Sequence, residues 1–426
     1  MAFHYLRLFI IILILLPSGF CSNAGAEEAL SWQDCLREAA KNHPDLIAAR
    51  ESVKQSQAAK TITASALFPQ VDSRLSAQTA RTDTGSISST ADSYSYGVSA
   101  SQLFFDGSKT INDVRAASED ISASKQSFRF TSATVRFRLR SAFINLLKSQ
   151  ESLKIAEEIF EIRRQNLELI TLKYESGQEH RGALLTAEAD LARSKYVIAQ
   201  ARRDFEVSQR ELAKEMGRKE LVPMQVTGGF EIKEAVKEKP DLEALAENNP
   251  SLLQAAARAS AANFSLRSAY ANFSPALTGS AAATKTSQYW APKNDQWNLG
   301  LALSMPVFEG GLRFAQVSQA KALLNQLREN QRSTKDSVVL TMEQAWAALL
   351  DALDNLEVQK KSLFAAEERS KIAEAQYSVG FISFDNWTII QDNLVSAKTA
   401  LLDAQAQALA REAEWVQAKG ETLEYE

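Results

Sequence analysis

Large apolar residues recur at every seventh position through four long stretches of this chain. Leu139, Leu146 and Leu153 begin the first of these stretches, and Leu184 and Leu191 begin the second. The third stretch carries Met342, Leu349, Leu356, Leu363 and Tyr377, and the fourth carries Trp387, Leu394, Leu401 and Trp415. Apolar heptads sustained over this length predict coiled-coil helices. Small residues fill a companion position in several heptads, so the pattern favours a curved wall of closely packed helices over an isolated pair.

Four shorter segments alternate apolar and polar residues instead. Between 93 and 104, tyrosine and valine alternate with serine, and between 297 and 305, tryptophan and leucine alternate with small or polar residues. Period two over about ten residues is typical of a strand that crosses a membrane. Trp290 and Trp297 lie where an aromatic girdle would flank such strands, whereas the segment 277–286 has the weakest pattern. An ordinary half-buried antiparallel hairpin would give the same alternation.

The whole arrangement of helices and strands occurs twice. The recurring motifs are Tyr174-Glu175-Ser176-Gly177 with Tyr377-Ser378-Val379-Gly380 and Phe105-Asp106-Gly107 with Phe308-Glu309-Gly310, each 203 positions apart, and Asn42-His43-Pro44 with Asn248-Asn249-Pro250, 206 positions apart. A period of about 200 residues is far longer than that of a solenoid repeat. The sequence therefore predicts two copies of one structural unit in a single pseudo-symmetric body.

The N-terminal segment has the features of an export signal. Within residues 1–26, Arg7 precedes an apolar run, and Ala24-Gly25-Ala26 provides a small-x-small cleavage site. The apolar run is nine residues long, and a bilayer-spanning helix needs about 20. Cys21 is a candidate lipid attachment site, although the bulky Phe20 precedes it where lipid-attachment sequences carry a small residue.

These patterns divide the remaining chain into two repeats and a connecting segment. The predicted parts are a first repeat at 27–217, a linker at 218–240, a second repeat at 241–420 and a tail at 421–426. The predicted strands lie at about 70–80, 93–105, 275–286 and 296–307, and the predicted long helices lie at 108–176, 183–216, 311–379 and 386–418. The fold class is therefore mainly α with a small β part.

Composition and charge exclude several classes of function. The chain has 48 basic and 52 acidic residues and a net charge of −4, with no basic block of the kind that nucleic-acid binding requires. Cys35, the one cysteine after the signal, is expected to be a small hydrophobe on the buried face of an N-terminal helix. His43 and His180 stand in unrelated contexts, and the sequence has neither metal-ligand spacing nor a phosphate-binding glycine loop. We therefore predict no catalytic, cofactor-binding or metal-binding residue.

The predicted strands constrain the quaternary structure. A four-stranded sheet in hydrocarbon would expose two edges of unpaired backbone N–H and C=O groups, each costing several kcal/mol. Transmembrane barrels need at least about eight strands. Two chains would be the minimum for a closed barrel, and three chains would give twelve strands. A closed barrel that continues into a sleeve of long helices would be a conduit.

The doubled motifs resemble those of the TolC-like outer-membrane efflux proteins across essentially the whole chain after the signal. The resemblance lies in the Asn-His-Pro and Asn-Asn-Pro breaks, the Phe-Asp-Gly and Phe-Glu-Gly-Gly turns, and the two Tyr-x-x-Gly helix ends. It implies a homotrimer with a twelve-stranded barrel in the outer membrane and a coiled-coil helical tunnel through the periplasm. It also implies a periplasmic adaptor protein and an inner-membrane transporter as partners. Residues 218–240 would belong to the belt around the tunnel.

The resemblance also implies roles for residues at the two helix ends. The adaptor-contact positions are Ser176, Gly177, Gln178, Val379, Gly380 and Phe381. A glycine that ends a helix in the left-handed conformation would give the same motif without any contact role.

The family narrows its periplasmic mouth with acidic rings just after the second helix end. Asp385, Asn386 and Asp392 are the residues in this region here. Asp385 could equally be the N-cap of a helix that begins near Trp387. Ile382 stands where the family often has an arginine, so a closing network built on that arginine is not carried over.

Two alternative functions remain at this level. A soluble periplasmic scaffold or adaptor protein would explain the heptads but not the two hairpins with polar and aromatic alternation. The exit duct of a protein-secretion system would share the whole architecture. A hydrolase would need a nucleophile and a base that the sequence does not offer.

Overall fold

A computed structural model describes residues 28–83, 85, 88–220, 222–231 and 238–423. The predicted signal peptide lies outside the described residues, as do 232–237 of the predicted linker and 424–426 of the predicted tail. Within these ranges, no helix is long and apolar enough to cross a membrane.

The described chain contains eight α-helices and six β-strands. The helices are α1 (Trp32–Asn42), α2 (Pro44–Ser65), α3 (Lys109–Glu175), α4 (Arg181–Glu215), α5 (Leu242–Glu247), α6 (Pro250–Ala271), α7 (Leu312–Ser378) and α8 (Phe384–Lys419). The strands are β1 (Glu28–Leu30), β2 (Gln70–Asp83), β3 (Ser88–Phe105), β4 (Met224–Val226), β5 (Ala276–Ser287) and β6 (Asn294–Ser304). α3 and α7 each have 67 residues, which at ~1.5 Å per residue gives a length of roughly 100 Å.

Proline sets the helix boundaries at the Asn-x-Pro breaks. His43 caps α2, because its Nδ1 accepts the backbone N–H of Asp45 at 3.1 Å and Pro44 takes the first helical position. Asn249 caps α6 in the same way, since its Oδ1 accepts the N–H of Ser251 at 2.9 Å. Each repeat thus begins with a short helix, a capped break and a second helix of 22 residues.

β2, β3, β5 and β6 form one antiparallel sheet in that order. The two hairpins have equivalent registers: Gln70 lies opposite Ser101 in the first and Ala276 lies opposite Ser304 in the second. These positions differ by 206 and 203, the same offsets that relate the repeated motifs. Although the pattern of its segment was weak, β5 is a central strand that pairs with a neighbour on each side.

The strand ends differ from the predicted bounds at several positions. β2 extends to Asp83 and β3 begins at Ser88, so the first hairpin is longer than the predicted 70–80 and 93–105. β6 ends at Ser304 rather than at 307. Pro306 follows, and proline has no N–H for a sheet ladder.

A second, two-stranded sheet was not predicted. β1 pairs in parallel with β4, which lies in the predicted linker, and Leu30 lies opposite Val226. Strands of three residues are too short to produce a recognisable alternation. The pairing depends on tertiary contacts, and it joins the start of the described chain to the segment between the repeats.

α3 is the central helix of the chain and contacts α1, α2, α4, α6 and α8, whereas α7 contacts α5, α6 and α8. The small residues of α4 form its buried seam: Ala187, Ser194, Ala201 and Ser208 are all buried. Ser208 Oγ lies 2.7 Å from Ser149 Oγ of α3. Small side chains allow the helices to approach closely, while the large heptad residues of α4 from Leu184 to Phe205 stay half-buried in the single chain.

Each repeat has a core where the middle of its 67-residue helix packs against the end of α4 or α8 that lies away from the tips. The first packs Leu36, Leu139, Leu146 and Leu212 together, and the second packs Leu242, Met342, Leu349 and Trp415 at the equivalent positions. Cys35 lies fully buried in the first core. Burial raises the pKa of its thiol to about 12, so the reactive thiolate is disfavoured. Cys35 is therefore a packing residue in α1.

Candidate functional site

The α3–α4 and α7–α8 hairpins end in tips with the same backbone turn. At the first tip, Gly177 N–H donates to Tyr174 O at 3.0 Å and Gln178 N–H donates to Lys173 O at 2.8 Å. At the second, Gly380 N–H donates to Tyr377 O at 3.1 Å, and the following N–H donates to the carbonyl five residues earlier. This pair of bonds is a Schellman motif. Both glycines have positive φ, 75° and 78°, so glycine is needed here for its backbone conformation.

The six predicted adaptor-contact residues all lie at the surface of these tips. Ser176, Gly177 and Gln178 are exposed, as is Gly380. Val379 and Phe381 are 80% and 78% exposed, so the second tip presents two large apolar side chains to solvent. Both tips thus have the left-handed glycine that ends a helix. The second tip also exposes apolar side chains, which are not needed to end a helix.

A buried aromatic cluster joins the two tips within the chain. Tyr377 stacks on Trp387 with ring centroids 4.6 Å apart and an interplanar angle of 7°. Phe384 lies beside both rings, at 6.4 Å from Tyr377 and 6.3 Å from Trp387. Ile170 of α3 belongs to the same cluster, so the cluster spans both hairpins. Ile382, at the position of the missing arginine, also contacts it.

Polar groups of the first hairpin complete this cluster. Lys173 Nζ lies 4.0 Å from the centre of the Tyr377 ring and donates to Tyr377 O at 3.2 Å. The Tyr377 hydroxyl donates to Glu179 Oε1 at 2.8 Å. Burial, with a smaller contribution from this bond to Glu179, raises the pKa of Tyr377 far above its ordinary value. The phenol therefore stays neutral and acts as a hydrogen-bond donor at physiological pH.

Sequence analysis did not identify Lys173 and Glu179 as site residues. Tyr377 and Trp387 were visible as heptad positions, but the polar pair had no local signal. Their partner lies about 200 positions away in the sequence, and only the folded arrangement brings them together.

The predicted constriction residues lie on two successive stretches of α8. The N-cap of this helix is Ser383, whose hydroxyl accepts the N–H of Asn386 at 3.4 Å. The alternative role of Asp385 as the N-cap is therefore wrong, because α8 begins at Phe384 and not near Trp387. Asp385 and Asn386 are exposed in the first helical turn.

Asp392 lies further along α8 and forms an ion pair with Arg163 of α3. Arg163 Nη1 also lies 3.9 Å from Asp190 Oδ2 of α4, and its side chain is only 11% exposed. The structure thus places Asp392 in a contact between the two hairpins, separate from Asp385 and Asn386. Within the described ranges, no group of three or more His, Cys, Asp or Glu residues could hold a metal ion.

Over most of its length the four-stranded sheet has one apolar face and one polar face, and toward the hairpin turns the apolar face also carries the Lys285–Asp295 ion pair. The apolar face carries Val71 and Leu75 of β2, Tyr96 and Val98 of β3, and Trp297, Leu299, Leu301 and Leu303 of β6, all of them exposed. The opposite face carries serine, threonine and other small or polar residues. On this face, β2 has two charged residues, Asp72 and Arg74, and β6 has no charged residue. An exposed apolar face of this size marks a membrane or protein contact.

Comparison with known proteins identifies the family to which this chain belongs. A sequence profile of the outer membrane efflux protein family matches residues 35–218 and 242–421, one match for each repeat. The chain belongs to this family. The gap between the two matches contains β4 and most of the predicted linker.

Individual members of the outer membrane efflux protein family align over nearly the whole chain. It is 21% identical to the outer membrane efflux protein BepC of Brucella suis over 403 residues, covering 92% of this chain and 85% of BepC. It is 25% identical to the outer membrane protein TolC of Escherichia coli, covering 94% of this chain and 83% of TolC. The crystal structure of CusC shares the fold, with a TM-score of 0.82, 20% identity, and coverage of 94% of this chain and 95% of CusC.

Proposed function

We propose that this chain is one protomer of a passive outer-membrane channel for efflux or secretion. The channel would work with an inner-membrane pump and a periplasmic adaptor protein and would carry out no reaction itself. The observation that carries the proposal is the sheet, whose exposed apolar face and polar opposite face suit lipid on one side and a water-filled lumen on the other. Membership of the outer membrane efflux protein family supports the same function and an outer-membrane location.

Three copies would close the channel. Each chain contributes four strands with two unpaired edges, and in lipid such edges are too costly to remain open. A homotrimer would give a twelve-stranded barrel. α3 and α7, each roughly 100 Å long, would carry the conduit through the periplasm.

The exposed tips are the proposed contact for the adaptor. Val379 and Phe381 offer apolar side chains, and Ser176, Gly177 and Gln178 offer the adjoining surface of the first tip. Asp385 and Asn386, exposed just after the second tip, are proposed to line the periplasmic entrance, with Asp392 one ring further in.

The channel function is tested by native mass and conductance of the purified protein. We expect the mass of three protomers in mild detergent and discrete conductance steps in a planar lipid bilayer. If the protein is instead monomeric, is released from membranes by carbonate and gives no conductance, it is the soluble scaffold and not the channel.

The adaptor contact is tested by Phe381→Asp, which should abolish co-purification of the adaptor while leaving conductance unchanged. Tyr289→Asp is the matched control, because Tyr289 is equally exposed at 78% but lies just after β5, at the far end of the molecule. Equal adaptor recovery with both variants would contradict the role of the tip.

A further inference from the structure

The helices that follow the two tips begin with different capping residues at equivalent positions. His180 and Ser383 are 203 positions apart, as are Ala183 and Asn386, whose backbone N–H groups they bind. The Nδ1 atom of His180 accepts the N–H of Ala183 at 3.1 Å. The hydroxyl of Ser383 accepts the N–H of Asn386 at 3.4 Å. The cap of α4 can gain a proton near neutral pH, and the cap of α8 cannot.

The capping bond fixes the protonation state of the His180 ring. A backbone N–H can only donate, so Nδ1 must offer a lone pair and the ring proton must lie on Nε2. A second proton on Nδ1 would place two N–H groups against each other and remove the cap. It would also place a positive charge at the N-terminus of α4, where the helix dipole disfavours cations. Protonation of His180 and capping by His180 therefore exclude each other.

The tip gives this ring both space and access to solvent. Gly182 lies in the first turn of α4, and a Cβ there would be 3.0 Å from Nδ1 and 3.1 Å from Cε1 of His180. Glycine is otherwise a poor residue for a helix, so its role at this position is to leave room for the ring. His180 is exposed, so the pH of the surrounding solution reaches the ring directly.

The capped turn is part of the contact between the two hairpins. Ala183, which donates the capping bond, is only 1% exposed. It packs with Ile170, Tyr377 and Trp387 in the buried aromatic cluster. Glu179, the residue before His180, accepts the hydroxyl of Tyr377. Loss of the cap therefore loosens the turn that joins the first hairpin to the aromatic side chains of the second.

We propose that His180 makes the contact between the two tips sensitive to pH. Above about pH 6.5 histidine is ordinarily neutral, so the ring caps α4 and the hairpins are held together. As the pH falls through this range, His180 gains a proton, the cap is lost and the first turn of α4 opens more often. The consequence for transport rests on the proposed function, in which these tips contact the adaptor. Adaptor binding would then weaken as the periplasm becomes acidic.

The other ionisable groups of the tips ordinarily titrate outside this range. Within the two turns and the five adjoining residues of each helix, they are Lys173, Tyr174 and Glu175 of α3, Glu179 and Arg181 beside His180, Glu374 and Tyr377 of α7, and Asp385 of α8. Carboxylic acids ordinarily titrate near pH 4, and tyrosine, lysine and arginine near pH 10 or above. His43, the other histidine among the described residues, also caps a helix through Nδ1, but it lies at the first break beside Glu215. A response between pH 7.5 and pH 5.0 that depends on residue 180 therefore comes from His180.

Hydrogen exchange of the purified protein in mild detergent measures the cap. In the wild type, exchange in the first turn of α4, corrected for intrinsic rates, should accelerate about fourfold from pH 7.5 to pH 5.0, the size expected for loss of one helix cap. His180→Ser copies the cap of the second repeat and should show no acceleration. His180→Ala removes the cap and should exchange about fivefold faster than the wild type at pH 7.5, with no further change at pH 5.0. The first turn of α8, capped by Ser383, is the internal control in each protein.

Two results of this experiment would overturn the inference. Equal acceleration in the wild type and in His180→Ser would assign the response to another group. A wild type that does not accelerate would show that the cap does not depend on protonation. Both comparisons are made within one protein preparation, so they test the cap whether or not the chain forms a channel.

Co-purification of the adaptor at the two pH values tests the consequence for the proposed function. Recovery should fall at pH 5.0 with the wild type and stay constant with His180→Ser. A fall with both proteins, or with neither, would overturn the control of the adaptor contact by His180. Failure of the proposed function itself has a different result, a monomer that gives no conductance at pH 7.5.

Discussion

The two hairpin tips have the same backbone and opposite side-chain environments. Tyr174 and Tyr377 occupy equivalent positions three residues before equivalent glycines, yet Tyr174 is 39% exposed and Tyr377 is 3% exposed. The second tip supplies the buried ring of Tyr377, and the first tip supplies Lys173 and Glu179, which contact that ring and its hydroxyl. The duplication thus preserved the turn, which depends on local geometry, while the side chains diverged into complementary halves of one contact.

The Asn-x-Pro breaks, which lie away from the tips, differ in the same manner. In the first repeat, His43 Nε2 lies 3.5 Å from Glu215 Oε2, and both side chains are buried. In the second, Asn249 Nδ2 donates to the backbone carbonyl of Ala418 at 3.0 Å. The contact at the first break joins two ionisable side chains, whereas the contact at the second joins a neutral amide to a backbone carbonyl. In both repeats the residue in this contact, His43 or Asn249, also caps the helix that follows.

The largest expected difference between the repeats comes from truncating the two tyrosines. Tyr377→Ala removes a buried ring that stacks on Trp387 and should destabilise the tip by about 3 kcal/mol, because loss of a large buried aromatic ring leaves a cavity. Tyr174→Ala removes a side chain that is partly in solvent, and we expect a loss under ~1 kcal/mol. Hydrogen exchange of the last two turns of α3 and α7 measures both effects.

The acceleration of exchange distinguishes the two variants. A loss of 3 kcal/mol corresponds to an opening equilibrium increased roughly 100-fold, in both hairpins, because the cluster spans them. Equal acceleration of exchange in the two variants would show that the two tyrosines contribute equally, contrary to the difference in their burial.

Replacing either tip glycine should have a smaller and more equal effect. Gly177→Ala and Gly380→Ala each place a Cβ in open space, so the cost is only that of the left-handed backbone, about 1 kcal/mol. Thermal melting of the two variants should show equal shifts. A shift confined to Gly380→Ala would indicate that the second turn does more than end a helix.

Periodicity was sufficient to predict the long helices and the hairpins of this fold. The seventh-position leucines of α3 extend over dozens of residues, and the alternation of β6 has a large apolar residue at nearly every second position. Local rules also explain the tips, since Gly177 and Gly380 fix the turn through their own φ angles. These features were predictable because each depends on residues close together in the chain.

Features that depend on distant residues were not predictable from the pattern. β1 and β4 pair across about 200 residues with only three residues each. The hydrogen bond between Tyr377 and Glu179 and the ion pair between Arg163 and Asp392 each join residues about 200 positions apart, and the polar partners have no sequence pattern of their own. The N-cap of α8 is Ser383 and not Asp385, although both are good capping residues. Phe384, the first residue of the helix, packs into the buried aromatic cluster, and this tertiary contact has no signal in the local sequence.

The smallest expected effect is acid sensitivity of the first break alone. Asp45 pairs with Arg138 2.5 Å away, whereas the equivalent positions in the second repeat are Ser251 and Thr341, which line a cavity of about 790 Å³. The hydrogen bond from Arg138 lowers the pKa of Asp45 below its ordinary value of 3.8. The stabilisation is therefore complete above that ordinary value and is lost as the pH falls through the lowered value.

Because both partners are substantially exposed, solvent screening limits this stabilisation to a fraction of 1 kcal/mol. Hydrogen exchange in the first turn of α2, corrected for intrinsic rates, should accelerate relative to α6 as the pH falls below 3.8. Asp45→Asn removes this carboxylate but retains His43, Lys214 and Glu215 around it, so the difference between wild type and variant isolates Asp45. If both proteins loosen equally in acid, the sensitivity does not come from Asp45. The asymmetry between the two breaks would then have to lie in contacts other than the Asp45–Arg138 ion pair.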